Sequence, residues 1–401
     1  MNHHVEDTLR RTLESAAEKA PELPGTLAGE LDIRYRRRRQ RSQALLAAAG
    51  VVVVTVGVAV GLRPGDDGTT PPAAHSSSTP SASAITAEPV EKVWPQAVWK
   101  VPAKAPDGRE LRPIGLIDDR TLLMEGWREF GRTEALYVYT KAGGRPRKIV
   151  DVPTPKGTTR YPSDFSLDGG QVAWWTATKH AVRIWAAPPD DGPARTVAVH
   201  KIKDADASGV DGFGATGGEA AFSLSTGGVF TVPLTGGPVT AVPRGAGLHL
   251  LSWPWAGTPD RSDPMAGPPF TRLVNLETGQ SSTAVSHQGE RVYACGVRSC
   301  MGTTADGKGF TRGRDGSRQK EIPVGYLIPE PPVQSRFYVR NLADNGGGLG
   351  LYDVTRGKLA DTGIRDEVAT RGEIPVPDRT GRLMTYRLGN TYYVIDLSKI
   401  P

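Results

Sequence analysis

The chain has 401 residues, of which 38% are hydrophobic, so it can bury the core of one large domain or of two ordinary ones. This composition excludes an intrinsically disordered protein. The formal net charge is +6, but beyond residue 62 there are 40 Lys and Arg against 36 Asp and Glu, so most of the chain is almost neutral. The N-terminal arginines show no repeated aromatic-plus-basic stacking pattern, and we therefore predict no nucleic-acid partner.

Residues 1–43 form a short N-terminal tail with one weak helical pattern. Val5, Leu9 and Leu13 recur every four residues, which places them on one face of a short amphipathic helix. A helix of this length is marginal by itself. We expect the tail either to remain solvated or to use this face to bind a cytoplasmic protein.

Residues 44–62 are an uninterrupted apolar run of 19 residues. As a helix, the run would span about 28 Å, which matches the hydrocarbon core of a bilayer. Six arginines precede the run and would orient that end toward the cytoplasm: Arg34, Arg36, Arg37, Arg38, Arg39 and Arg41. The sequence therefore predicts a single-pass membrane protein with its N-terminus inside and its C-terminal domain outside the cell. A cleaved secretory signal is the alternative.

Residues 63–92 are rich in Pro, Ser and Thr and predict a disordered stalk. Beyond residue 92 the sequence changes to short β-type runs separated by Gly, Pro and Asp. We predict that residues 93–401 form one all-β domain.

A repeat within that domain predicts its architecture. An apolar strand followed by a turn with glycine recurs six times, and the last glycines of these turns fall at 144, 192, 237, 279, 316 and 357. A weaker seventh copy follows at 392. A spacing near 40 residues is the length of one propeller blade, so we predict a six- or seven-bladed β-propeller, with a β-sandwich or β-helix as alternatives. The spare strand at 97–102 would pair with the last copy and close the ring.

The tail, the apolar run, the stalk and repeats such as DFSLDGGQVAWWTA at 164–177 resemble the membrane-anchored WD40-like or TolB-like propeller proteins of high-GC Gram-positive bacteria. This resemblance implies a propeller held outside the membrane. No copy begins with Gly-His or ends with Trp-Asp, so the docking grooves of true WD40 proteins are not implied. The tail also resembles membrane proteins paired with extracytoplasmic-function sigma factors, although it lacks a zinc-binding His and Cys set.

Cys295 and Cys300 are the only cysteines. Two strands joined by a four-residue loop would place them opposite each other, and outside the cytoplasm such a pair oxidises. We predict a structural disulfide.

Asp204, Asp206 and Ser208 have the spacing of the first oxygen ligands of a calcium loop, and Gly209 would supply its turn. The twelfth position is Ala215, which lacks a side-chain oxygen, and Asp211 is the available substitute. We favour a solvated acidic turn, with calcium as the weaker hypothesis. We predict no other cofactor.

Several tryptophans, Trp174, Trp175 and Trp185 among them, are expected to pack between neighbouring blades. The segment from Leu251 to Met265 is rich in Pro and polar residues and predicts a long loop. It is the best candidate for a contact surface, through Trp253, Trp255, Asp260 and Asp263.

No histidine lies in a recognisable nucleophile or metal-binding motif, so we name no catalytic residue. The leading hypothesis is a membrane-tethered extracytoplasmic binding or sensing module with an unknown extracellular protein or ligand. One alternative is a transmembrane regulator whose tail contacts a cytoplasmic partner such as a sigma factor. A second is an envelope propeller enzyme of the hydrolase or quinoprotein type.

Overall fold

The computed structural model describes residues 87–162, 164–202, 209–259, 270–323, 330–342, 347–365 and 374–401. Their strands form seven separate sheets, which we number as blades in chain order. The domain is therefore a seven-bladed all-β propeller, and the predicted fold class is confirmed at the higher of the two blade counts. Within these ranges no helix has the length and apolar character needed to cross a membrane, and the tail, the apolar run and most of the stalk lie outside them.

The first described elements precede blade 1. They are β1 (Glu88–Pro89), the one-turn helix α1 (Val90–Val93) and β2 (Val98–Pro102).

Blades 1 to 3 follow in order along the chain. Blade 1 contains β3 (Glu110–Leu116), β4 (Thr121–Trp127), β5 (Ala135–Thr140) and β6 (Arg147–Asp151). Blade 2 contains β7 (Thr158–Arg160), β8 (Phe165–Asp168), β9 (Gln171–Thr178), β10 (Ala181–Ala187) and β11 (Arg195–Lys201). Blade 3 contains β12 (Val210–Thr216), β13 (Glu219–Leu224), β14 (Val229–Pro233) and β15 (Thr240–Ala241).

Blades 4 and 5 repeat the four-stranded antiparallel pattern. Blade 4 contains β16 (His249–Ser252), β17 (Trp255–Gly257), β18 (Arg272–Asn275) and β19 (Ser281–Thr283), after the 3-10 turn Pro243–Gly245. Blade 5 contains β20 (Arg291–Cys295), β21 (Ser299–Thr303), β22 (Gly309–Gly313) and β23 (Lys320–Ile322).

The last two blades are completed by the N-terminal strands. Blade 6 contains β24 (Phe337–Asn341), β25 (Leu349–Asp353) and β26 (Lys358–Asp361), and blade 7 contains β27 (Val376–Pro377), β28 (Leu383–Leu388) and β29 (Thr391–Asp396), before the 3-10 turn Leu397–Lys399. Strand β2 pairs antiparallel with β29 and closes the ring as the sequence predicts. Strand β1 adds to blade 6 by parallel pairing with β26.

The segment from Glu88 to Val93 packs against the propeller. Val90 is fully buried and Trp94 is 4% exposed, both against blades 6 and 7. The Trp94 ring packs edge-on to Phe337, with 6.3 Å between centroids. These short elements therefore gain their stability from strands that are distant in sequence.

The apolar core lies between neighbouring blades, because side chains alternate along a strand and each sheet buries both faces. Consecutive tryptophans of β9 show this directly. Trp174 packs with Leu123 and Leu136 of blade 1, whereas Trp175 packs with Val210 and Phe213 of blade 3. The expected packing of tryptophans between blades is confirmed.

The repeated strand of the sequence is the third strand of a blade in each of the first five copies, and the glycine lies in the turn that follows it. Gly316, for example, has a φ of +83°, which a residue with a side chain rarely adopts. In blade 6 the repeated strand is β25, so β24 corresponds to the second strand of the other blades.

Candidate functional site

Arg379 crosses the axis of the ring. It follows β27 of blade 7, yet its guanidinium lies 2.7 Å from a carboxylate oxygen of Asp164, just before β8 of blade 2. It also donates to the carbonyl of Phe213 in β12 of blade 3. Neither blade is a neighbour of blade 7, so this side chain occupies the axial space and ties three blades together.

A second arginine of the axis extends this cluster. Arg112 of β3 forms an ion pair with Glu125 of β4, which is fully buried. Glu125 also accepts a hydrogen bond of 2.5 Å from the hydroxyl of Thr133. Because a buried carboxylate is stable only when its oxygens are satisfied, this network is part of the structure of blade 1.

The charges of the axial cluster stabilise one another. Burial raises the pKa of Asp164, but the charge and the hydrogen bond of Arg379, together with the charge of Arg112, act in the opposite direction and hold this pKa below its usual value. Asp164 is therefore a carboxylate at neutral pH and remains the partner of Arg379.

Asp211 and His249 lie at the start of the first strands of blades 3 and 4. Asp211 contacts His249 Nδ1 at 2.6 Å through one oxygen and accepts from the Ser223 hydroxyl at 2.6 Å through the other. The carboxylate selects the tautomer with the proton on Nδ1. Because Ser223 donates to the aspartate and not to the imidazole, the three groups do not have the geometry of a Ser-His-Asp triad.

This arrangement bears on the calcium hypothesis. Both oxygens of Asp211 are hydrogen-bonded within blades 3 and 4, so its substitution for the missing calcium ligand is disfavoured. Asp204, Asp206 and Ser208 lie outside the described residues. No group of three His, Cys, Asp or Glu in the described part of the chain is placed to hold a metal ion.

An exposed aromatic side chain lies on one end of blade 1. Phe130 is 59% exposed, in the loop between β4 and β5, and packs edge-on to Trp127 with 6.4 Å between centroids. Trp127 is almost fully buried, so it anchors the loop. Aromatic residues are enriched at protein interfaces, so this exposed ring is a candidate contact residue.

The neighbouring segment between blades 1 and 2 packs against this loop. Arg132 lies over the ring of Tyr161, 5.4 Å from its centroid, and the Thr133 hydroxyl oxygen lies 3.4 Å from the carbonyl oxygen of Pro162. We call the loop 128–134, the segment 153–162 and Lys179 the rim surface. Lys179 belongs to it because Thr178 pairs with Thr158 across β7 and β9.

Part of the predicted contact loop lies in strands and a turn of blade 4. Trp253 lies in the two-residue turn between β16 and β17, where its indole N–H donates to Glu277 at 3.1 Å. Trp255 begins β17 and is not in a loop. Asp260 and Asp263 lie outside the described residues. A binding role for the four residues stays a prediction.

Cys295 and Cys300 form the predicted disulfide. They are direct partners in the ladder of β20 and β21, and their Cα atoms are 4.1 Å apart. The bond closes the first hairpin of blade 5, where both cysteines are buried. The remaining predicted residues, the six arginines from Arg34 to Arg41 and the stripe Val5, Leu9 and Leu13, fall outside the described residues.

No family model and no curated protein matches the chain. The propeller is similar to the solved structure of YCF48 from Cyanidioschyzon merolae, with 9% identity, 75% of this chain and 99% of that one covered, and a TM-score of 0.44. The structure of YCF48 bound to D1 peptide is 13% identical, with 79% of this chain and 99% of that one covered and a TM-score of 0.45. The uncharacterized protein lmo1340 from Listeria monocytogenes EGD-e is 11% identical, with 73% of this chain and 93% of that one covered and a TM-score of 0.45. At these scores the fold assignment rests on this chain's own sheets.

Proposed function

We propose that the chain is a membrane-tethered binding module whose propeller works outside the cytoplasm and contacts its partner through the rim surface. The observation that carries this proposal is Phe130, an aromatic side chain held at a loop tip by Trp127 and left 59% exposed. Aromatic and arginine side chains are the types that most often dominate protein interfaces. The rim surface has both types, because Phe130 and Arg132 lie in the same loop and Arg132 packs on the ring of Tyr161.

The axis supports the same proposal. Arg379 is bound to Asp164 and Phe213, so its guanidinium is committed to joining blades. A ligand that entered the axis would have to replace these contacts. A rim contact requires no such rearrangement, which favours the outer surface for binding.

Three features support the proposed location. The apolar run 44–62 has the length of a membrane span, and the arginines from Arg34 to Arg41 orient it with the propeller outside. The disulfide between Cys295 and Cys300 is typical of an oxidising compartment. We also propose that the membrane is that of a high-GC Gram-positive bacterium, and the sequence resemblance alone supports this step.

Site-specific photocrosslinking in cells tests the binding proposal. A photoreactive residue replaces Phe130 in the full chain, and the matched control replaces Val199, which is 48% exposed on β11 of blade 2. We expect a discrete adduct from position 130 and none from position 199. Equal adducts at both positions, or none at position 130, would contradict a rim contact.

The alternative of a transmembrane regulator depends on the helix face formed by Val5, Leu9 and Leu13. A pull-down with residues 1–43 would identify a cytoplasmic partner such as a sigma factor. Loss of capture after Leu9→Asp would support this alternative, and the absence of any specific partner would remove it.

A further inference from the structure

We propose that the rim surface recognises an acidic segment of a partner protein that also presents an apolar side chain to Phe130. This inference rests on the proposed function and adds the chemistry of the partner. It is carried by the balance of charge on the surface and by the way its arginines are held.

The rim surface has a surplus of positive charge. It contains five cationic side chains and two carboxylates. The cations are Arg128, Arg132, Lys156, Arg160 and Lys179, and the carboxylates are Glu129 and Glu134. Glu134 is shared between two guanidiniums, those of Arg128 at 3.0 Å and of Arg109 at 3.1 Å. An acidic partner would complement this surface, since complementary potentials accelerate association and exclude basic partners.

Two arginines of the surface are held in place and still accessible. Arg132 packs on Tyr161 and lies 4.0 Å from Glu129 while 44% of its side chain is exposed, and Arg128 is anchored by Glu134 while 57% is exposed. A guanidinium offers five donors in a fixed fork that matches a carboxylate. Because the aromatic ring and the ion pair already restrict these side chains, binding a carboxylate costs less side-chain entropy.

The apolar part of the surface is small, which favours a protein partner over a lipid surface. Phe130 and Val199 are the large hydrophobic residues that are strongly exposed in the described ranges, and only Phe130 lies on the rim surface. Insertion into a bilayer depends on the apolar area that is buried, and one phenylalanine supplies little. The single Phe130 ring beside exposed arginines is suited instead to a protein segment in which an apolar side chain lies between carboxylates.

Binding measurements on the full chain in zwitterionic nanodiscs test the inference. The probes are a short peptide of alternating Glu and Leu, the same peptide with Gln in place of Glu, and vesicles of phosphatidylglycerol and phosphatidylcholine. We expect the acidic peptide to bind and the Gln peptide not to bind. Arg132→Glu and Phe130→Ser should each weaken acidic-peptide binding about tenfold, the effect of losing one good contact.

Arg145→Glu is the matched control, because Arg145 is an exposed arginine in the loop between β5 and β6, at the other end of blade 1. It should change affinity little, and all variants should keep the unfolding midpoint of the parent chain. Equal binding of the two peptides, equal effects of R145E and R132E, or vesicle binding that alone depends on Arg132 would overturn the inference. A crosslink at position 130 combined with no acidic-peptide binding would reject this partner class while the proposed function stands.

Discussion

Replacement of Trp94 by alanine tests whether the segment before residue 98 is part of the propeller. Trp94 is 4% exposed and packs edge-on to Phe337 in the cluster that joins blades 6 and 7. Tryptophan-to-alanine substitutions in a packed core cost about 3–5 kcal/mol, because transfer energy is lost and a cavity remains. We expect a loss in this range, since the ring lies in one buried cluster with Val90 and residues of blades 6 and 7.

Urea denaturation of the full chain in detergent, followed by tryptophan fluorescence and circular dichroism, measures this loss. The midpoint should fall while the slope remains unchanged, because the surface exposed on unfolding is the same. Trp253→Ala is the control, since Trp253 lies in a turn and is only partly buried, and its loss should be clearly smaller. A loss below about 1 kcal/mol for Trp94→Ala, the size of an ordinary surface effect, would refute the placement of this segment in the core.

Three further predictions concern polar and covalent links. Burial raises the pKa of Asp396, but hydrogen bonds from Arg382 and Ser398 hold this pKa below its usual value. The carboxylate therefore stabilises the fold at neutral pH, and this stabilisation is lost as pH falls through the folded pKa. Asp396→Asn should reduce the free energy of unfolding at pH 7 and flatten the acid side of the stability profile. Reduction of the disulfide, or Cys300→Ser, should cost about 2 kcal/mol or less, because the closed loop is short, as measured by unfolding with and without reductant. Arg314 is buried and donates to the carbonyls of Thr271 and Ser282. Arg314→Met should therefore cost about 3 kcal/mol or more in the same unfolding assay, and Arg314→Lys should not restore the lost stability.

The fold was predictable because its signals are local. Each blade repeats a strand and a glycine turn within about 40 residues, and the spare strand at 97–102 identified the closing pair of β2 and β29. The disulfide was predictable for the same reason, since a hairpin brings Cys295 and Cys300 together. The paired residues lie near each other in sequence in the disulfide hairpin, and at the two ends of the series of repeats in the closing pair.

The axial cluster and the rim surface were not predictable, because both depend on contacts between blades. Nothing near Arg379 in sequence indicates that it binds Asp164 and Phe213, and only closure of the ring brings them together. The sequence also gives no strand signal for Glu88–Pro89, which pairs with β26 of blade 6. The exposure of Phe130 depends on the loops of two blades, and its one sequence signal was an aromatic residue between arginines.

The most direct test of the account is the side of the membrane on which the propeller lies. Because the native cysteines form a disulfide, a single engineered cysteine in the full chain can be labelled selectively with a membrane-impermeant maleimide. Val199→Cys reports on the propeller and Ser15→Cys on the tail. The account predicts that intact cells label position 199 and that position 15 is labelled only after the membrane is opened. Labelling of position 15 in intact cells, or protection of position 199 until lysis, would contradict it.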